Sequence, residues 1–346
     1  MDIAARRVFR LSLTTALALA GGYALALDLP YLAPLFGFML TAAPKPPMGF
    51  KGYIGVSLVL SLTLGVGLIL VPMLMYYPAT ALMLVLLGLF FSNYLSLNMG
   101  KAQVGLLLTV GVTMISAAGT LTFALATTLI EAMIISIGLA LVCQSIVYPF
   151  FPEDEGPIAA PPAVSPEESS WLAFRATLII FPSYLLVLLN PAAYLPVIMK
   201  AVLLGQQANV TNARVAGREL LGSTFMGGVL AIIFWAGLSM APNLWMFFLW
   251  TLLFGIYISA KLYGLFYSRY SPGFWQNAMV TLFILLGPAV ADSATGKDVY
   301  KAFAVRIGLF IAITLYAWLA LVVLDRWYHQ RGNRSSLQTT ALGAAS

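Results

Sequence analysis

Charge is scarce in this chain. Of its 346 residues only 9% are Asp, Glu, Lys or Arg, against about 25% in an ordinary soluble domain. Hydrophobic residues make up 61%, and the mean hydropathy is +0.93. A soluble enzyme, a disordered tail protein and a secreted disulfide scaffold are excluded on this basis. Cysteine and histidine are scarcer still, with one of each, Cys143 and His329. A single thiol excludes an internal disulfide and a cysteine-based metal site, and so little His and Cys disfavours zinc, copper and haem. The lone histidine lies in a polar tail, so no Ser/His/Asp set can form. No Gly-x-x-x-x-Gly-Lys-[Ser/Thr] segment occurs, which excludes ATP hydrolysis by this chain. The expectation is a protein that is not an enzyme and has no cofactor.

Long unbroken apolar runs are what the chain does have. Barrel strands alternate apolar and polar residues, so these runs argue for helices instead. Crossing about 30 Å of hydrocarbon takes about 20 apolar residues. The runs predict spans at 11–27, 29–43, 52–75, 78–97, 102–119 and 122–150, then at 171–189, 191–205, 214–240, 242–263, 275–292 and 299–327. The fold class is an all-α polytopic membrane protein of about twelve transmembrane helices. The second span of each group is short enough to be a half-crossing, so ten to twelve bounds the count. Four parts follow: a first six-helix repeat (1–150), a stiff Ala/Pro-rich cytoplasmic linker (151–170), a second six-helix repeat (171–327) and a mobile cytoplasmic tail (328–346).

The net charge of +6 is spread singly between apolar segments, which fits membrane orientation and not nucleic acid. With the N-terminus inside, Arg6, Arg7, Arg10, Lys51, Lys101, Arg175, Arg214, Arg218, Lys261 and others fall on the cytoplasmic side. Only Lys297 and Lys301 fall outside, while Lys200 and Arg306 lie within spans. Both termini are therefore placed in the cytoplasm. Arg6-Arg7 and Ala24-Leu25-Ala26 imitate a signal peptide. The apolar run is too long for one, and it has a counterpart in the second half.

That counterpart belongs to an internal repeat. Phe9-Arg10-x-Ser12-Leu13 recurs as Phe174-Arg175-x-Thr177-Leu178, and Tyr31-Leu32 as Tyr194-Leu195. Gly55, Ser61 and Gly65 recur as Gly217, Ser223 and Gly227, and Gly88-x-Phe90-x-Ser92 as Gly255-x-Tyr257-x-Ser259. Six is even, so the halves share one orientation and are expected to be parallel, related by an axis along the membrane normal. The small residues of the third spans are expected to pack helices closely.

Arg10 at the head of a small-residue helix, Pro-Tyr-Leu-Ala-Pro at 30–34 and Pro-Lys-Pro-Pro at 44–47 resemble the DUF2955 family. The stretch from Asn212 to Gly222 resembles the Arg-x-x-Gly-Thr-x-x-Gly segment of fusaric acid resistance and aromatic acid exporter proteins. Arg214 and Gly217 match it, and Arg218 stands where that family often has Thr. The resemblance implies an efflux component of a Gram-negative inner membrane, working with a periplasmic adaptor (membrane fusion) protein and often an outer-membrane channel. Larger relatives carry sizeable cytoplasmic domains after the membrane halves, where only a twenty-residue linker and a short tail are expected here.

Candidate site residues follow from spans and intramembrane charges. In repeat-built transporters, short or proline-broken spans mark the substrate site. Pro30 and Pro34 lie in one such span, Pro191 and Pro196 in the other, and proline frees carbonyls to face a cavity. Tyr31, Tyr194, Pro34 and Trp235 are substrate-binding candidates, with helix packing as the alternative for the aromatics. Glu131 and Arg306 lie within the sixth and twelfth spans. They are expected either to pair or to divide the work, with Glu131 carrying a proton and Arg306 receiving an anion. Asp292 is a second proton-coupling candidate, and surface exposure is its alternative. Lys200 either snorkels to the cytoplasmic surface or holds a carboxylate.

The function expected is proton-coupled export of small, aromatic or anionic compounds. The alternatives are a non-transporting scaffold for an adaptor, with no cavity between the halves, and a membrane-embedded lipid transferase. The last would cluster polar groups at one interface. Expected partners are the adaptor, an outer-membrane channel, the substrate and the bilayer, and the chain could also form a homo-oligomer.

Overall fold

A computed structural model describes residues 2–43, 45–154, 165–210, 215 and 217–343. Among them the structure is helical throughout, with no strand. Twelve helices follow one another: α1 (Ile3–Ala24), α2 (Leu32–Ala42), α3 (Phe50–Tyr76), α4 (Pro78–Asn98), α5 (Ala102–Leu121), α6 (Phe123–Val147), α7 (Pro166–Leu189), α8 (Pro191–Val210), α9 (Gly217–Met240), α10 (Leu244–Leu262), α11 (Pro272–Ala294) and α12 (Val299–Gly343). Nine of these described helices are long and apolar enough to cross a membrane. The other three are α1, which carries Arg6, Arg7 and Arg10, the 11-residue α2, and α8, whose apolar part is Tyr194–Gln206.

Local chemistry sets the boundaries. The side chains of Thr122, Ser165, Asn243 and Ser271 accept the free backbone N–H groups at the starts of α6, α7, α10 and α11. Proline opens α4, α7, α8 and α11, where its missing N–H costs no helical bond. Two π-helical turns interrupt the regular pattern, Gly111–Ile115 within α5 and Gly217–Leu221 at the start of α9.

Three boundary expectations change. Residues 166–170 belong to α7 and not to the linker, because Ser165 caps the helix and Pro166 begins it. Residues 151–154 are held against α1. Arg7 and Arg10 both pair with Glu153, Arg6 pairs with Asp154, and the arginines also reach the carbonyls of Phe151 and Pro152. The expected mobile tail continues α12 as helix to Gly343. Pro44 and residues 212–214 and 216, which carried part of the family resemblance, lie outside the described residues.

Within the first half α1 packs on α2 and α6, α2 on α6, and α5 on both α3 and α4. Within the second half α7 packs on α8 and α12, α8 on α12, and α11 on both α9 and α10. Between halves α1 lies along α10, α4 along α7, α5 touches α8 and α2 touches α11. The most enclosed of the nine is α11, with 78% of its apolar window buried, against 28% for α3, α4 and α12. The latter present Leu58, Leu62, Met83, Leu87 and Val323 outward, as helices facing acyl chains do.

Close helix approach uses glycine, but not every glycine expected. Nothing lies within 4 Å of a Cβ built on Gly55 or Gly65, and Ser61 is exposed. The contact is made by Gly67, where a Cβ would fall 2.1 Å from the carbonyl oxygen of Gly111. In the second half Gly227 does approach α11, at 2.6 Å from the carbonyl of Ala278. Trp245 is exposed at the start of α10, whereas Trp275 is buried against Tyr257 and Tyr270.

Candidate functional site

The bundle has two chemically different ends. At the basic end the arginines of α1 meet the 151–154 segment, Tyr263 donates to the carbonyl of Ala42, and Arg175 pairs with Asp325 at 2.7 Å. At the opposite end a cavity of about 890 Å³ opens. Its walls are the α1–α2 turn, the start of α8, the last turns of α11 and the first turns of α12.

The turns are shaped to leave this space. A Cβ on Gly22 would lie 2.8 Å from the carbonyl of Pro30, so glycine lets the chain fold back after α1. A Cβ on Gly287 would lie 2.2 Å from the ring of Tyr31, so glycine seats Tyr31 against α11. Gly296 takes a φ of 72° between α11 and α12, a conformation open to glycine at little cost. Asp298 then caps α12 through the N–H groups of Tyr300 and Lys301.

Four expected residues come together here: Tyr31, Tyr194, Asp292 and Arg306 all line the cavity. Arg306 Nη2 stands 2.6 Å from an Asp292 carboxylate oxygen, and Lys297 lies 3.9 Å from the other. Asp292 is therefore enclosed and paired, not surface-exposed. Arg306 Nη1 is buried and has no hydrogen-bond partner. Asp28, Lys297 and Lys301 add charge around the rim. Beside the polar cavity lies an apolar chamber of about 570 Å³, lined by Trp235, Leu238, Leu244 and Phe247. The two share Tyr23, Val290 and Ala294. Trp235 thus borders the neighbouring chamber, where it stacks edge-on with Phe303.

Three expected residues stand elsewhere. Pro34 is buried in the first turn of α2 and lines neither space; Pro30 and Pro196 line the polar cavity instead. Glu131 does not meet Arg306. It is exposed on the outward face of α6, without an ion pair or hydrogen bond among the described residues, because α6 turns its other faces to α1, α2 and α3. Lys200 neither snorkels nor holds a carboxylate. It is fully buried, and its Nζ donates to Asn277 Oδ1 at 2.8 Å and Thr281 Oγ1 at 2.7 Å, both on α11. Tyr23, Asn277 and Thr281 were not singled out by sequence. The seam between α8 and α11 gives Asn277 and Thr281 their place, while Tyr23 stands on α1 between the two spaces.

An all-helical membrane bundle with a charged cavity at one end is the class this geometry defines. Residues 7–147 match the family model described as a protein of unknown function, DUF2955. The DUF2955 part of the sequence resemblance is thereby borne out over the first half of the chain. The fusaric acid resistance-like naming is not confirmed. No curated protein and no solved structure matches.

Proposed function

We propose that this chain is the inner-membrane component of a proton-coupled efflux system, exporting small aromatic or anionic compounds with a periplasmic adaptor protein. One observation carries the reading. Arg306 spends one Nη on Asp292 and leaves the other buried and unpartnered in the wall of a cavity that adjoins an apolar chamber. A carboxylate can take the free Nη while an aromatic body enters the chamber, since charge-assisted bonds to guanidinium are strong and directional. A substrate carboxylate would bring a second negative charge to the guanidinium that Asp292 already faces, so in this reading Asp292, and not Glu131, takes up the proton as the substrate arrives.

The packing pattern supports two parallel repeats. Each contact named above within the first half recurs in the second with the helix number raised by six, and the α1–α10 contact recurs as α4–α7. The Arg10–Glu153 pair likewise has its counterpart in Arg175–Asp325. In this reading the basic end is cytoplasmic, and the cavity opens to the periplasm. A cavity is what a pure scaffold would not need. The gathering of Asp28, Asp292, Lys297, Lys301 and Arg306 at one end favours a second reading, a lipid transferase.

Whole-cell export of a panel of aromatic carboxylates and their neutral amides tests both. Arg306→Ala should slow export of the carboxylates by roughly tenfold to a hundredfold and leave the amides within about twofold. Equal losses would return Arg306 to a structural role. Unchanged export by all variants, with a modified lipid in membrane extracts, would favour the transferase.

A further inference from the structure

A buried lysine without a counter-charge lies between the cavity and the basic end. Lys200 is wholly enclosed, and no carboxylate among the described residues comes within ion-pair distance of it. An ammonium has three donors, and only two acceptors meet it, both neutral. Those acceptors are held in place by outgoing bonds. The amide nitrogen of Asn277 donates to Ser223 Oγ, whose hydroxyl donates to the Glu219 carbonyl, and the hydroxyl of Thr281 donates to the Asn277 carbonyl. A lysine enclosed among neutral partners carries a charge only at a cost, and an anion beside it would offset that cost.

There is a place for that anion. A pocket of about 170 Å³ lies among α2, α8 and α11, and Asn277 forms part of its wall. Gln206, also in the wall, has a buried side-chain nitrogen with no hydrogen-bond partner. Lys200 does not line the pocket itself but stands behind Asn277, so an anion there would meet the unfilled amide donor directly and favour the charged form of Lys200 across the Asn277 amide. We propose that this pocket binds a monovalent anion, a halide or a small carboxylate, with Gln206 as its donor and Lys200 as its charge. Its use as a second station, on the basic-end side of Arg306, rests on the export reading above. The binding itself does not.

Chloride-35 NMR line broadening on the purified full-length protein in detergent tests this, with sodium benzoate as competitor. The wild type should broaden the chloride line, and benzoate should reverse the effect. Lys200→Met and Gln206→Leu should each weaken binding by about tenfold or more. Lys200→Arg should retain it, and so should Arg306→Ala. Because Lys200→Met replaces a buried amine that has no counter-charge with an apolar side chain, its thermal stability without anion should equal or exceed that of the wild type. An unbroadened wild-type line, full binding by Lys200→Met, or loss only in Arg306→Ala would each overturn the site. Chloride binding that benzoate cannot displace would overturn the station role. Chloride binding in a protein that exports nothing would leave the site standing and remove the transport reading.

Discussion

Glu153 sits between two guanidiniums at the basic end. Burial alone would push its carboxyl up, but hydrogen bonds from Arg7 and Arg10 and the charge of both outweigh this and hold it below its ordinary value. A carboxyl lowered on folding stabilises the folded state at pH above its unfolded value, and loses that contribution as the pH falls through the lowered one. Acid below the ordinary carboxylate range should therefore release the 151–154 segment from α1. Glu153→Gln should lower stability by about 1–3 kcal/mol at neutral pH, because Arg10 is only 1% exposed and would lose its charged partner. The difference between mutant and wild type should vanish in acid. Thermal unfolding in detergent across pH reads both effects, and a constant difference down to strong acid would refute the clamp. Such pairings were illegible in the sequence. Arg10 was visible as a helix-opening residue, but its partner stands 143 positions away in a stretch read as linker.

Helices were legible where apolar length defined them. Twelve helices stand where run length puts them, the short α2 within its expected 29–43 window, but only nine of the described helices are long and apolar enough to span, fewer than the ten to twelve expected. Which face of a helix packs is a different matter, since periodicity fades when lipid and protein are both apolar. Gly55, Ser61 and Gly65 read as a packing stripe, yet the approach runs through Gly67. Gly67→Ala should therefore cost about 1–3 kcal/mol or more by forcing α3 from α5, while Gly65→Ala should stay within about 0.5 kcal/mol. Detergent thermal unfolding of the two single mutants decides it, and equal effects would show that the α3–α5 contact is misplaced. The same limit explains Glu131. Its depth could be counted from the sequence, but its rotation about the α6 axis could not.

On the scale of the whole molecule, the cavity joins residues from α1, α8, α11 and α12. Tyr31, Tyr194, Asp292 and Arg306 were individually visible as aromatics and charges near proline-broken spans. Their meeting needed the fold, as did the enclosure of Lys200, because helix contacts across halves leave no mark on local sequence. Orientation is testable with single cysteines, since native Cys143 is buried. Lys297→Cys at the cavity end should react fully with a membrane-impermeant maleimide on intact spheroplasts, and Lys101→Cys only after permeabilisation. The reverse pattern would invert the molecule and point the cavity inward.

The shortness of α2 has an electrical consequence. Eleven residues rise only about 16 Å, roughly half of a hydrocarbon layer about 30 Å thick. Water standing in the cavity above α2 would carry the external potential inward, so that the membrane voltage drops mainly across this thin septum. An anion crossing it would feel nearly the full field, about 2.3 kcal/mol per charge for each 100 mV, over that short path.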